Sequence, residues 1–345
     1  MYYETTKELL AFIKKSPTAF HAVEEMQTRL MEDGFQVLSE KEHWKLTPGG
    51  KYVVTRNHSA LIAFTIPERE SWKFHIIASH SDSPSFKIKE NPEIVVEKTY
   101  VKLNVEKYGG MLMAPWFDRP LSIAGRVIVR KDGKLEEKLI NFDRDLVMIP
   151  NLAIHMNREA NSGVSYNPQK DVLPLFSMGG SEVSLQKLLS AQLGIEEKDI
   201  LSHDLFLDNR MEGSIWGAEN EFASSGRLDD LQCAFASLKG FMSAQKQECI
   251  AVHCVLDNEE VGSGTKQGAA STFLKDTLLR INSGLGRTYE EYLMTLADSF
   301  MISADNAHAL HPNYTDKADP VNHPLLNKGI VIKYNANQKY CTDAV

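Results

Sequence analysis

Four short polar clusters contain side chains that could bind a metal ion, and each lies beside an apolar strand-like or helical run. The first is HIIASHSDSPS, which contains His80 and Asp82. Because residues i and i+2 of a strand face the same way, Asp82 could lie behind His80 and fix its tautomer. Carboxylates support metal-bound histidines in this way. The HxD pattern alone does not separate such a ligand from a structural histidine.

The other three clusters are rich in carboxylates. Asp229 and Asp230 lie in SSGRLDDL, before a helical run, where acidic residues commonly cap helices. Glu259 and Glu260 follow the apolar run AVHCVL, and adjacent carboxylates at a strand end repel each other unless a counter-ion or solvent lies between them. The fourth cluster, MISADNAHALHPN, contains Asp305 after another apolar run. Each cluster alone has an ordinary structural explanation.

Taken together, the clusters place one histidine and three or four carboxylates at one edge of a sheet. Such an oxygen-rich site with an imidazole suits zinc, cobalt or manganese. A two-metal peptidase needs a carboxylate that bridges ions roughly 3.5–4 Å apart, terminal ligands on each ion, and a free carboxylate to deprotonate the shared water. The sequence supplies nearly all of these groups.

The segments that carry the clusters predict an α/β domain. The runs WKFHIIASH, ECIAVHCVL and DSFMISAD are expected to be buried apolar strands, separated by helical stretches such as LDDLQCAFASLKGFMSAQ. The first residues predict two amphipathic helices with a break at Ser16-Pro17-Thr18. Because ligands of such sheets bind beyond the carboxyl ends of the strands, the polar clusters are expected to meet there.

The middle of the chain has a different pattern. From about residue 89 to 210, short β-type runs such as TYVKLNVEK and SIAGRVIVRK alternate with turns. We therefore expect a catalytic domain built from residues 1–88 and 211–345, with residues 89–210 inserted as a separate β-rich domain.

Composition narrows the possible partners. The 345 residues have a formal net charge of -8, which argues against nucleic acid or an anionic membrane as the main partner. Any preference for an acidic substrate must then come from a local positive group. The first residues do not read as a signal peptide, and no apolar stretch approaches the roughly 18 residues of a membrane span. The four cysteines show no CxxC spacing, so reduced thiols and a cytoplasmic location are expected.

The segments SHSDSP, SGRLDDL, DNEEVGSGT and SADNAHALHPNY resemble those of the aspartyl aminopeptidase family, in the same order, over essentially the whole chain. The resemblance implies a phosphorylase/hydrolase-like α/β fold, a mixed sheet with helices on both faces, and an inserted β-rich dimerisation domain. It further implies self-association to dimers and a closed dodecamer. The implied substrates are peptides with N-terminal acidic residues.

The resemblance also implies two zinc ions, for which cobalt or manganese could substitute. The implied ligands are His80, Asp229, Glu260 and Asp305. Asp229 would bridge the two ions, Glu260 would bind the second, and His80 and Asp305 would complete the first.

Five further roles follow from the same resemblance. Asp82 would orient His80, and Glu259 would be the general base acting on the shared water. His155, in IPNLAIHMNR, would reach a neighbouring subunit's active site and stabilise the oxyanion. Lys333, placed by GIVIKYNANQKY on an apolar strand, would pair with the substrate's side-chain carboxylate, and His311 would contribute to substrate binding.

The family has one more histidine ligand beyond the matched segment, so the second zinc site is expected to be incomplete in these residues. Three explanations stay open: an incomplete reading of a longer active enzyme, a partner chain that supplies the missing piece, or a catalytically impaired short form. The last would act as an assembly or peptide-binding subunit. A related aminopeptidase that prefers neutral residues is a further alternative.

Overall fold

The computed structural model describes residues 2–69, 73–180, 182–244, 248–337 and 340–344. It divides into two compact units, Met1–Ala304 and Asp305–Val345, which are described separately. Across the described residues, every helix is too short or too polar to cross a bilayer.

Helices and strands alternate along the first unit as expected for an α/β protein. The α-helices are Tyr2–Lys15 (α1), Ala19–Glu32 (α2), Leu185–Leu193 (α3), Leu228–Ser243 (α4), Phe273–Gly284 (α5) and Tyr289–Ala297 (α6). The strands are Gln36–Leu38 (β1), Lys51–Arg56 (β2), Ala60–Thr65 (β3), Phe74–His80 (β4), Ser85–Val96 (β5), Tyr100–Tyr108 (β6), Pro120–Lys131 (β7), Lys134–Asn141 (β8), Val147–Met148 (β9), Leu175–Met178 (β10), Ile200–Asp208 (β11), Ser214–Trp216 (β12), Phe222–Ser224 (β13), Ile250–Leu256 (β14) and Phe300–Ser303 (β15).

A six-stranded mixed sheet contains His80 at the end of one strand, and Asp82, Glu259 and Glu260 follow its strands. Its strand order is β1-β2-β3-β14-β4-β15. Strand β4 is parallel to both β14 and β15, whereas β3 is antiparallel to its two neighbours. All side chains of β14 are buried, as its continuous apolar run predicts. Because parallel neighbours end at the same edge, the segments that follow β4, β14 and β15 all leave from one edge of this sheet.

Helices cover both faces of the six-stranded sheet. Helices α1, α2 and α4 share one apolar core with Val53, whereas α5 and α6 share another core with Val54. The two valines are neighbours on β2 and face opposite cores because side chains alternate across a strand. The predicted break between the first two helices is confirmed, since α1 ends at Lys15 and α2 begins at Ala19.

One strand differs from its expected burial. The run DSFMISAD does form β15, but all four of its side chains are exposed, including Phe300 and Ile302. The prediction of a buried strand was therefore wrong in this respect. Among the described residues β15 pairs only with β4, so it is an edge strand, and an apolar run does not reveal which strand occupies an edge.

The β-rich middle of the chain forms a second, seven-stranded sheet. Its order is β11-β5-β6-β10-β9-β7-β8, and β11 also pairs with β7, so six of the strands close into a barrel. Its core includes the fully buried Phe86, Leu103, Ile123 and Leu205. The β-rich region itself is confirmed. The assignment of residues 89–210 as a separate dimerisation domain stays a prediction.

The second unit has little regular structure. Its described residues contain one short 3-10 helix, Thr315–Lys317. The apolar run before Lys333 predicted a strand, and this was wrong: residues 329–335 belong to no strand. An apolar run forms a strand only where a neighbouring strand can satisfy its backbone groups.

Candidate metal centre

The candidate centre forms where β4 and β14 end side by side. His80, the last residue of β4, is in register with Leu256, the last residue of β14. The backbone N–H of Ser81 donates to the Leu256 carbonyl at 2.8 Å, which keeps the two chains together one residue further. The segments that carry Asp82 and Glu259 therefore begin as neighbours.

The His80 imidazole is buried and faces carboxylates on both sides. Its Nε2 lies 3.5 Å from Asp229 Oδ1, 3.9 Å from Asp230 Oδ2 and 4.0 Å from Glu259 Oε2. Its Nδ1 lies 3.3 Å from Asp82 Oδ1 and 3.1 Å from the Asp82 carbonyl oxygen. Because Nδ1 has two acceptors, it carries a hydrogen, and Nε2 is the nitrogen at which a metal ion would replace a proton. Asp82 therefore contacts the imidazole on the side opposite Asp229 and Glu259.

Asp82 also connects the histidine to the two adjacent glutamates. Its side chain is only 3% exposed, and its oxygens accept from the backbone N–H groups of Glu259 at 3.1 Å and Glu260 at 3.2 Å. The Tyr108 hydroxyl donates to the same carboxylate at 2.8 Å. One buried carboxylate therefore orients the imidazole and fixes the backbone that carries both glutamates.

The two glutamates lie on a short turn after β14. The turn, Glu259–Val261, begins after Asn258, whose φ of 61° reverses the chain direction. The Glu259 side chain is 56% exposed, so solvent and a substrate can reach it. Its Oε2 faces the same His80 nitrogen as Asp229, which places a carboxylate beside the candidate ligands.

The charges around His80 and Glu260 favour binding of a cation at the centre. Burial lowers the pKa of His80, but hydrogen bonds to Asp229 and Asp82 and the charge of Asp230 outweigh it and raise that pKa to about 11. Burial and the charge of Asp229 raise the pKa of Glu260 to about 7. Both shifts have the sign expected where several carboxylates lie close together without a compensating positive charge.

The donor set fits zinc. One ligand atom each from His80, Asp229 and Asp230 lies within 4.8 Å of the others. Zinc binds imidazole nitrogen and carboxylate oxygen at about 2.0–2.2 Å, so two ligands of a tetrahedral site stand about 3.4 Å apart. The 3.5 Å between His80 Nε2 and Asp229 Oδ1 matches that spacing. His80 and Asp229 would therefore hold the ion with little rearrangement.

Asp230 is a site residue that sequence reasoning missed. It is fully buried, and its Oδ2 accepts from the backbone N–H of His80 at 3.1 Å. Helix capping was the ordinary explanation for this pair, but the Asp230 carboxylate accepts from the backbone of β4 instead. A signal was available: Asp230 shares its helical phase with the buried Ala234 and Leu238, where an acidic residue is unusual.

Four further predicted residues belong to other segments of the chain. His155 is exposed in the short turn Ile154–Met156 of the first unit. Asp305, His311 and Lys333 belong to the second unit. There the Lys333 ammonium donates to Asp305 Oδ2 at 3.0 Å and to the Asn306 carbonyl at 2.7 Å. His311 packs against the Tyr314 ring at 4.9 Å between centroids.

Known proteins resemble this chain over nearly its full length. It is 48% identical over 349 residues to a probable M18 family aminopeptidase 2 of Clostridium acetobutylicum, a match that covers 99% of this chain and 81% of that relative. A chain in the cryo-EM structure of the Ape4 and Nbr1 complex is 38% identical with a TM-score of 0.94, covering 98% of this chain and 70% of that one. The mApe1 dodecamer of S. cerevisiae is 26% identical with a TM-score of 0.81, covering 94% and 76%.

A family model described as Aminopeptidase I zinc metalloprotease (M18) matches residues 12–345. These matches confirm the fold expected from the sequence, a mixed α/β domain with an additional β-rich region. They also agree with the zinc-compatible cluster around His80. The chain belongs to the M18 family of zinc aminopeptidases.

Proposed function

We propose that this M18 aminopeptidase releases N-terminal aspartate or glutamate from peptides at a centre that holds two zinc ions. The observation that carries the catalytic part is the arrangement around His80: Nε2 faces the carboxylates of Asp229 and Glu259, and Asp82 holds Nδ1. The number of zinc ions and the preference for an acidic first residue are further parts of the proposal that this arrangement does not carry.

In the proposed centre, His80, Asp229 and Asp305 would hold the first ion, and Asp229 and Glu260 would contribute to the second. When bound, zinc supplies Lewis acidity and lowers the pKa of water towards about 7. Asp82 keeps the His80 imidazole in one tautomer and one orientation. Its bonds to the backbone N–H groups of Glu259 and Glu260 keep that turn in place while protons move.

Glu259 is the proposed general base. Its exposed carboxylate takes a proton from the attacking water and then returns it to the amine that leaves as the peptide bond breaks. Glu259 therefore ends the reaction in its starting protonation state, because it delivers in the second step the proton that it took in the first.

The proposed test of the overall function uses matched peptide substrates. Release of the first residue is measured from Asp-, Glu-, Ala- and Leu-peptides of the same sequence, with added zinc. Faster release from the Asp- and Glu-peptides supports the proposal, and preference for Leu or Ala would make the enzyme a neutral aminopeptidase. Zinc binding and self-association without release from any peptide would favour the catalytically impaired assembly subunit.

Lys333 is the proposed selector for an acidic first residue. An ammonium has three donors, and Asp305 Oδ2 and the Asn306 carbonyl accept two of them, so one donor is left for a substrate carboxylate. Lys333→Ala is expected to lower the rate on Asp- and Glu-peptides about 10- to 150-fold, the equivalent of one charged hydrogen bond, with a much smaller change on Ala-peptides.

The control for that variant is Lys328→Ala, which removes an exposed lysine of the same unit. It should leave the ratio of rates on Asp- and Ala-peptides unchanged. An equal fall on acidic and neutral substrates in Lys333→Ala would exclude Lys333 as the selector.

His155 is proposed to act across a subunit contact. Its turn is flanked by the exposed apolar side chains of Leu152, Ile154 and Met156, which would be covered in an assembly, and the related mApe1 is a dodecamer. We therefore propose self-association to dimers and to a dodecamer, with His155 as an oxyanion donor.

His155→Ala should lower kcat about a hundredfold or more, with the elution volume in size-exclusion chromatography unchanged. The exposed His43→Ala is the control, and full turnover in His155→Ala would remove this role.

A further inference from the structure

The last residue of β6 and the glycine after it reach the metal centre from the seven-stranded sheet. We propose that Tyr108 and Gly109 are positioning residues, which set the places of Asp82 and Glu260 and so tune metal affinity and turnover; this rests on the proposed function. Neither residue has a role that the sequence alone predicted.

The Tyr108 hydroxyl has a defined direction. It accepts from Asn258 Nδ2 at 2.9 Å, so its single hydrogen is donated to Asp82 Oδ2, 2.8 Å away. The Asn258 amide cannot turn round without loss, because its Oδ1 accepts from Thr265 Oγ1 at 2.7 Å and from Gln267 Nε2 at 2.9 Å. The chain of donors therefore ends on the carboxylate that orients His80.

The ring of Tyr108 is held independently of its hydroxyl. It packs edge-on against Phe206 of β11, with 5.4 Å between ring centroids and 85° between the planes. Tyr108→Phe keeps this packing and removes only the hydroxyl. The substitution therefore separates the hydrogen bond to Asp82 from the contact that joins Tyr108 to the barrel.

Gly109 allows the backbone to pass close to Glu260. Its φ is +79°, and a Cβ built on it would lie 2.9 Å from the Glu260 Cβ and 3.1 Å from its Oε2. The first of these distances is too short for two carbon atoms, so a side chain at position 109 requires Glu260 or the backbone at position 109 to shift. Tyr108 and Gly109 thus contact the site through two different carboxylate residues.

A purely structural role for this segment has a distinct consequence. If Tyr108 only joined the two sheets, its hydroxyl would affect the free energy of unfolding and leave the metal centre unchanged. If it positions Asp82, its loss changes how firmly His80 and the glutamate turn are held. Loss of a group that directly supports a metal-binding histidine typically lowers metal affinity 10- to 100-fold. Tyr108 acts one contact further out, through Asp82.

The first experiment compares Tyr108→Phe with Tyr52→Phe. Tyr52 is a buried tyrosine of β2 whose hydroxyl accepts from the Thr47 backbone N–H at 3.0 Å. Loss of this hydroxyl serves as the control. Zinc affinity is measured by competition with a chelator, and the visible absorption of the cobalt-substituted protein reports the ligand geometry. Tyr108→Phe is expected to weaken zinc binding about tenfold, the lower end of the range for direct partners of a ligand, to change the cobalt spectrum and to lower kcat with little change in KM. Tyr52→Phe should match the wild type in zinc affinity, cobalt spectrum, kcat and KM.

The second experiment compares Gly109→Ala with Gly133→Ala. Gly133 has nearly the same φ, +75°, but a Cβ there meets nothing within 4 Å. Both variants place an alanine at a similar positive φ, and only Gly109→Ala brings its Cβ against Glu260. We expect Gly109→Ala alone to lower zinc affinity and kcat.

These measurements separate failure of the inference from failure of the proposed function. Wild-type zinc affinity, cobalt spectrum and kcat in both Tyr108→Phe and Gly109→Ala would overturn the inference, even if either variant unfolded more easily. A wild-type protein that binds zinc and cleaves peptides keeps the proposed function in that case. A wild-type protein that binds no zinc would overturn both.

Discussion

Glu259→Gln is expected to lower kcat by about 10²- to 10⁴-fold, the range over which a positioned acid–base group contributes to catalysis. The amide is nearly the same size as the carboxylate but cannot take a proton from water. Zinc affinity should change little, because the Glu259 side chain is exposed and its backbone N–H still donates to Asp82. The measurement is steady-state hydrolysis of an Asp-peptide alongside a chelator-competition assay for zinc.

The matched control is Glu24→Gln, an exposed glutamate on α2. It makes the same chemical change away from the centre and should retain full activity. Hydrolysis by Glu259→Gln at the wild-type rate would assign the proton transfer to another group. A parallel loss of zinc would instead make Glu259 a ligand.

His80→Ala is expected to weaken zinc binding by at least about a hundredfold and to abolish hydrolysis. Loss of an outer partner already costs 10- to 100-fold in metal affinity, and here the imidazole itself is lost. Only carboxylates would remain, among them Asp229 and the buried Asp230. Calorimetric titration of the chelator-treated protein with zinc provides the measurement.

His253→Ala separates this effect from the loss of a buried ring. His253 is fully buried on the neighbouring strand β14, it stacks on Phe241, and neither ring nitrogen has a hydrogen-bond partner within the part of the chain that is described. Burial lowers its pKa to about 3, so it is neutral at pH 7. This variant should lose folding stability and keep zinc affinity. Equal zinc affinity in His80→Ala and His253→Ala would mean that His80 is not a ligand.

The sequence predicted the parts of the centre that depend on strand ends. His80, Asp82 and Glu259 follow long apolar runs, and parallel strands bring such ends together whatever the details of the loops. Asp82 Oδ1 lies 3.3 Å from His80 Nδ1 although Asp82 lies just beyond β4. The β-rich middle region was also predictable, because the spacing of apolar residues in its short runs does not match the periodicity of a helix.

Other features depend on packing that no local pattern contains. Tyr108 reaches Asp82 only because β6 of one sheet ends beside β4 of the other. The exposure of β15 follows from its place at the sheet edge. Asp230 was obscured by a common alternative, since acidic residues before a helix usually cap it.

The most direct test of a zinc-dependent acidic aminopeptidase is a zinc titration of the chelator-treated wild-type protein during hydrolysis of an Asp-peptide. Aspartate release should be absent before zinc is added, rise in proportion to bound zinc, and remain absent in Glu259→Gln at the same zinc occupancy. Aspartate release that is equal with and without bound zinc, or absent at full occupancy in the wild type, would contradict it.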